Sequence, residues 1–315
     1  MNRPKPLRHR RPLLVSTAIV LFVAACAAGS GDLGGVATPP PTSGSSPDVP
    51  TAVPTSAAGS PATSPDAAPI GSPAGTTTVR TYFFLGSFTA NAGLAPVERE
   101  IPKTQAVGAA SVEALLAGLI EPELAASPAM YTSIPEGTKL LGLQIGNGVA
   151  TVNLSSEFEA GGDSISVTGR IAQVVYTLTQ FPTVTGVRFE FDGVPPKGVF
   201  IGAFSRADYT AFLPAIFVDR PAWGGTLGAL ARVTGIANVF EATFRIAILD
   251  ANGTVLVDQR AMASCGTGCW GTFDVTIPYH VANAQSGTLR FYDLSAKDGT
   301  PENVTEYPVT LTPGG

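Results

Sequence analysis

The sequence predicts two folded domains of different class behind a disordered N-terminal tether: an α+β domain over residues 77–205 and an all-β sandwich over residues 213–313. Three observations lead there. Up to Asp192, strand-like runs alternate with two segments of helical apolar spacing. From Ala215 the helical spacing disappears, and short β-rich runs recur between turn signals. Ahead of both, residues 27–76 carry Pro39-Pro40-Pro41, Ser60-Pro61, Ser64-Pro65 and Ser72-Pro73, with no aromatic residue. Such a stretch cannot offset the entropy of ordering, and its prolines make it a semi-extended spacer.

In the first domain, residues 79–85 (VRTYFFL) are β-branched and aromatic, as in a buried strand. A loop with Pro96 and Pro102 is expected next. Over residues 107–119, Val107, Ala110, Ala114, Leu115 and Leu119 fall at helical spacing, and Gly118 and Pro122 bracket the end. Residues 139–145 and 148–154 flank Gly146-Asn147, a hairpin signal. A second helix is expected over 164–180 on the spacing of Ile165, Ile171, Ala172, Val175 and Leu178. Val187, Phe189 and Phe191 close the domain as a strand. The order is β-α-β-β-α-β, one small sheet covered by helices. In the second domain, strands are expected at 216–218, 230–233, 239–249, 255–261, 271–277, 288–294 and 307–311. Asn252-Gly253 and Asp298-Gly299 supply turns, and the regular spacing argues for a sandwich.

The N-terminus carries an address. Arg3, Lys5, Arg8, Arg10 and Arg11 precede an apolar run over residues 13–22, which ends in Val23-Ala24-Ala25-Cys26. A basic region, a short apolar region and small residues describe a secretory signal over residues 1–25. The run is short for a membrane span, which needs about 20 residues. The small pair before Cys26 resembles the lipobox of bacterial lipoproteins. That resemblance implies a diacylglycerol on the Cys26 thiol, cleavage before it, and acylation of the new amino terminus. Two or three acyl chains anchor stably where one is marginal. The expected location is extracytoplasmic, at the membrane, with residues 26–76 as tether.

Charge narrows the partners. The chain is 14% charged, against about 25% in average proteins. Of 19 basic residues the signal carries five; the remaining 14 against 24 acidic residues leave a net charge of -10. That disfavours nucleic acid, whose binding rests on cationic contacts to phosphate, and direct adhesion to anionic lipid. The expected partners are the membrane, through the lipid anchor, and an envelope protein or peptidoglycan.

Several segments together carry a family resemblance. Val79-Arg80-Thr81-Tyr82-Phe83, Val97-Glu98-Arg99-Glu100-Ile101, Glu113-Ala114-Leu115-Leu116-Ala117-Gly118 and Ser133-Ile134-Pro135-Glu136-Gly137-Thr138-Lys139-Leu140 resemble the GerMN domain. That domain is named for a lipoprotein of sporulation and spore germination. Gly148-Val149-Ala150-Thr151-Val152-Asn153-Leu154 and Phe189-Glu190-Phe191-Asp192-Gly193 continue the pattern. The second half resembles the immunoglobulin-like domain found beside GerMN domains, through Pro221, Val233-Thr234-Gly235-Ile236-Ala237, Val239-Phe240-Glu241-Ala242-Thr243, Asp250-Ala251-Asn252-Gly253 and Ala296-Lys297-Asp298-Gly299. The resemblance implies envelope assembly and partner binding, with no established catalytic chemistry and no cofactor.

Other motifs have simpler readings. Gly162-Asp163-Ser164-Ile165 resembles the nucleophile block of GDSL-type esterases, but a serine nucleophile needs a positioned base. His280 is the one histidine after the signal. An Asp or Ser opening a helix is ordinarily an N-cap. A lone His280 cannot build a His-rich zinc site and is expected to face solvent. Cys265 and Cys269 flank Gly-Thr-Gly, and outside the cytoplasm a disulfide is expected. A redox or metal pair is the other reading, though Cys-x-x-Cys is the more typical redox spacing. Glu157, Glu159 and Asp163 form one acidic group, Asp293 and Asp298 another, without EF-hand spacing; solvated loops are expected. Trp223 and Trp270 are expected to pack at a core or edge, with a binding role as the alternative.

The function expected is a non-catalytic binding or scaffolding module in envelope, septal or sporulation-type assembly. One alternative is a cell-wall glycan- or peptide-acting hydrolase using carboxylates from Glu157, Glu159 and Asp163. Another is a solute-binding lipoprotein, which would want two similar lobes and a hinge.

Overall fold

A computed structural model describes residues 75–86, 93–126 and 128–313. The signal, Cys26 and nearly all of the tether lie outside the described residues.

The first domain comprises β1 Thr76–Leu85, β2 Gly93–Pro102, α1 Val107–Leu116, α2 Glu121–Leu124, β3 Met130–Tyr131, β4 Leu140–Gly146, β5 Val149–Leu154, α3 Ser164–Leu178 and β6 Gly186–Phe191. It is α+β, as expected, but with two three-stranded sheets, β2-β1-β3 and β4-β5-β6, in place of one. The expected proline loop is a full strand, β2, pairing with β1 from Thr76↔Pro102 to Leu85↔Gly93. In an antiparallel strand, a residue's N–H and C=O point to the same side. Pro96 accepts at its carbonyl from the Trp223 N–H at 2.8 Å. Its nitrogen therefore faces away from β1, and the missing N–H removes nothing from the ladder. Prolines are tolerated at such edges.

On its other side β1 is matched by β3 only at Phe84 and Leu85. Gln173 on α3 and Gln180, two residues past its end, complete that edge. Gln180 accepts from the Arg80 N–H at 2.8 Å and donates to its carbonyl at 2.7 Å. Gln173, fully buried, donates to the Tyr82 carbonyl at 2.8 Å. The β4–β5 hairpin turns on Asn147 and Gly148, at φ 51° and 79°, one residue later than expected. An Asn-Gly pair with both φ positive is what a two-residue hairpin requires. β5, α3 and β6 form a parallel β-α-β unit. Of the helix residues expected to be buried, Ile165 is exposed: it lies in the first turn of α3, whose buried residues begin only at Gly169.

The second domain is a sandwich of β7 Ile216–Arg220, β8 Thr226–Leu227, β9 Leu230–Ala237, β10 Thr243–Leu249, β11 Val255–Met262, β12 Gly271–Pro278, β13 Gln285–Leu294 and β14 Pro301–Leu311. One sheet runs β11-β10-β13-β14-β8 and the other β12-β9-β7. Their inner faces meet through Phe244 of β10 against Phe273 of β12, ring centres 4.8 Å apart, while Phe291 and Tyr307, on neighbouring strands of the larger sheet, pack edge to face at 4.9 Å within the same core. The expected single strand over 239–249 is interrupted: Glu241 and Ala242 take φ 52° and 55°, and β10 begins only at Thr243.

Candidate functional site

The two domains meet across β7. Side chains alternate along a strand, so Ile216 and Val218 go to one face and Phe217 and Asp219 to the other. Phe217 packs on Tyr176 of α3, ring centres 5.7 Å apart, and on Tyr82 of β1 at 6.5 Å. Tyr82 donates its hydroxyl to Asp219 Oδ1 at 2.6 Å. Arg206, in the 3-10 turn Arg206–Phe212 between the domains, completes the cluster. It donates from Nη1 to Asp219 Oδ1 at 3.2 Å, from Nη2 to the Tyr82 oxygen at 2.9 Å, and from Nε to Thr179 at 2.9 Å. Its guanidinium lies 4.6 Å from the Tyr176 ring centre, a cation–π distance. Arg80 stands 3.6 Å from the other Asp219 oxygen.

These contacts set the charges. Burial pushes the Asp219 carboxyl up, but Arg206, Arg80 and the hydrogen bonds from Tyr82 and Arg206 outweigh it, leaving Asp219 below the usual carboxylate range. Burial, then the Asp219 carboxylate, pushes the Tyr82 phenol well above its ordinary value. Burial would lower Arg206, but Tyr82 and Asp219 raise it further. Asp219 therefore stays anionic, Arg206 cationic and Tyr82 a neutral donor. None of these three is thereby moved toward neutrality, where a general acid or base would work.

An open groove of about 550 Å³ runs from this cluster over the outer face of the β12-β9-β7 sheet. Tyr176, Arg206, Asp219, Thr234, Ile236 and Trp270 are among the residues that line it. It presents apolar and aromatic surface together with the half-buried Arg206–Asp219 ion pair, the mixture small-ligand and peptide sites share.

The residues singled out from sequence fall elsewhere, except Trp270. Asp163 caps α3, accepting from the Ser166 N–H at 2.8 Å. Glu157, Glu159 and Asp163 are all exposed. The loop bearing them is held by buried Arg170, which donates to the carbonyls of Phe158, Ala160 and Gly161 at 2.6, 2.9 and 2.9 Å. His280 is exposed. Asp293 departs from the expected solvated loop: it is buried on β13 and accepts from Asn303 Nδ2 at 2.8 Å. Asp298 remains exposed and accepts from Thr300. Trp223 pairs by backbone with β2, receiving the Glu98 N–H at 3.1 Å. Cys265 and Cys269 are joined by a disulfide with Cα atoms 5.9 Å apart. Among the described residues no group of three or more His, Cys, Asp or Glu could hold a metal ion, and no helix is long and apolar enough to cross a membrane.

Sequence reasoning missed Tyr82, Tyr176, Arg206 and Asp219. A signal for one was present: Asp219 interrupts the apolar strand Ile216-Phe217-Val218, and a charge in a buried strand implies a partner.

The fold thus defines a two-domain protein, an α+β body joined to an all-β sandwich. The family comparisons assign both parts. Residues 81–197 match Germane, described as sporulation and spore germination, and residues 215–300 match Gmad2, the immunoglobulin-like domain of bacterial spore germination. The chain carries these two domains in tandem. Among solved structures it is similar to a provisionally designated lipoprotein of Clostridium perfringens (19% identity, 42% of this chain and 90% of that one, TM-score 0.30). It is also similar to the tandem GerMN domains of the sporulation protein GerM from Bacillus subtilis (16%, 65% and 62%, TM-score 0.33). A third is CopC from Methylosinus trichosporium OB3b (22%, 32% and 96%, TM-score 0.22). No curated protein matches the chain.

Proposed function

We propose that this chain is an extracytoplasmic lipoprotein, anchored through Cys26, that acts as a non-catalytic binding module in envelope assembly of the sporulation or germination type. The observation that carries the reading is the clamp Tyr82–Arg206–Asp219. It joins the two domains into one body and builds an open groove beside them. A hinged solute-binding protein needs its lobes free to close, and this clamp opposes that. The hydrolase alternative loses support because its three carboxylates are exposed on one capped loop. The Germane and Gmad2 matches support the assembly context.

The experiment uses the full chain in two arms. One measures turnover of purified peptidoglycan and generic esters; none is expected, and turnover abolished by Glu157→Ala or Ser164→Ala overturns the non-catalytic reading. The other measures saturable binding to envelope fractions with Trp270→Ala as the groove variant. Loss of affinity of about tenfold or more is expected if Trp270 is a hot spot. Unchanged binding removes the groove as the site.

A further inference from the structure

We infer that the open edge of β4 is a self-association surface, where a second copy of this chain pairs antiparallel to extend the β4-β5-β6 sheet across a twofold axis at Gln144. β4 is the end strand of its sheet. Its sequence, Leu-Leu-Gly-Leu-Gln-Ile-Gly, has neither a charge nor a proline. Those are the devices by which proteins blunt an edge against pairing. Only a register shift at Leu141, between Leu140 and Gly142, interrupts it.

The hairpin decides which backbone groups are free. A two-residue turn makes its flanking pair, Gly146 and Val149, hydrogen-bonded. Bonded pairs then recur at Gln144↔Thr151 and Gly142↔Asn153. Leu143 and Ile145 therefore turn their N–H and C=O outward. With the axis at Gln144, Leu143 faces Ile145 of the second copy, and Ile145 faces its Leu143. Each is a bonded pair, so about four backbone hydrogen bonds form. An axis at Leu143 would set Ile145 against the irregular Leu141. An axis at Ile145 would set Leu143 against Asn147, which is in the turn at φ 51°. Gln144 is thus the centre that uses both free residues in extended backbone.

The side chains agree with this register. Leu143 and Ile145 lie on the face that α1 covers, close to Gly108, yet Ile145 is 48% exposed. Pairing sets each Ile145 beside a Leu143, covering apolar surface. Gln144, exposed on the opposite face, meets its own copy at the axis. No charged residue lies between Lys139 and Glu157, so no like charges meet at the seam. This inference rests on the strand register alone and stands apart from the groove.

The test is sedimentation of the full chain carrying Cys26→Ser, with concentration raised into the millimolar range. A reversible dimer is expected. Ile145→Pro removes only the outward N–H and adds a ring to the edge, leaving the β5 ladder whole; it should give monomer with unchanged circular dichroism. Ile145→Lys sets two charges at the seam and should raise the dissociation constant about tenfold or more. In the same background Gln144→Cys should cross-link between copies under mild oxidation, and Thr151→Cys, one strand inward, should not. A chain that stays monomeric throughout, or a dimer that survives both Ile145 variants, overturns the proposal.

Discussion

Tyr82 and Asp219, separated by 137 residues, share a hydrogen bond of 2.6 Å between the first strand of one domain and the first strand of the other. Because Tyr82 is fully buried and Asp219 is held between two arginines, neither can lose its partner without leaving a polar group stranded. Asp219→Asn should therefore destabilise the chain by about 3 kcal/mol, and Tyr82→Phe by about 1–2 kcal/mol. Urea unfolding of both variants and the double variant checks this. The double variant should lose less than the sum of the singles, since the two act in one network. Strict additivity would break the claim of coupling.

The same carboxylate sets an acid response. Its folded pKa lies below the usual value, so its stabilisation is fully present above the unfolded pKa of about 3.9 and fades as pH falls below it. Thermal melts between pH 7 and pH 2 should show the wild type losing its advantage over Asp219→Asn on the acid side of that value. A constant difference across the range would remove Asp219 from the account.

The disulfide is a local device. Gly266 packs so tightly on Ala242 and Val239 that an added Cβ would sit 2.4–2.5 Å from their backbone atoms, and the Thr267 N–H donates to the Val239 carbonyl at 2.9 Å. The short loop limits the entropic gain to about 2 kcal/mol. Cys265→Ser with Cys269→Ser should lower stability by no more than that. Hydrogen exchange should quicken around Glu241 and Ala242 and stay slow in β13. Global loss of protection would show that the link staples the whole sandwich.

Anchoring is tested by fatty-acid-analogue labelling in a bacterial host. Cys26→Ser should abolish incorporation and leave the signal uncleaved at that position. Equal labelling of the two forms would remove this anchor.

Limited proteolysis should cut within residues 27–76, a Pro/Ser/Thr stretch too poor in apolar side chains to bury itself, and leave a stable fragment beginning near Thr77. Protection of the stretch would mean that it packs on the body.

Much of this architecture is legible in the residue pattern. Helix α3 follows from Ile171, Ala172, Val175 and Leu178, and the sandwich from alternation such as that of β12, where Phe273 and Ile277 go inward while Asp274 and Thr276 stay exposed. Strand β2 is not legible, because Pro96 and Pro102 argue for a loop until the direction of each nitrogen is known. The corner at Glu241 and Ala242 is hidden for a similar reason: positive φ at two non-glycine residues contradicts local preference and is imposed by packing against the Cys265–Cys269 loop. The clamp is hardest of all. Its members come from β1, α3, the turn after β6 and β7, and no spacing relates them; only the lone acid in an apolar strand hints at a partner.

The outer edge of β2 ends on Trp223, a residue of the other domain. A fragment cut between the domains would expose a raw strand edge on one piece and an orphaned aspartate on the other. Division of labour between the two modules therefore has a limit. Swapping either for a cousin from another chain would have to import its neighbour's sealing residues as well, and the pair is expected to be inherited, expressed and degraded as one unit.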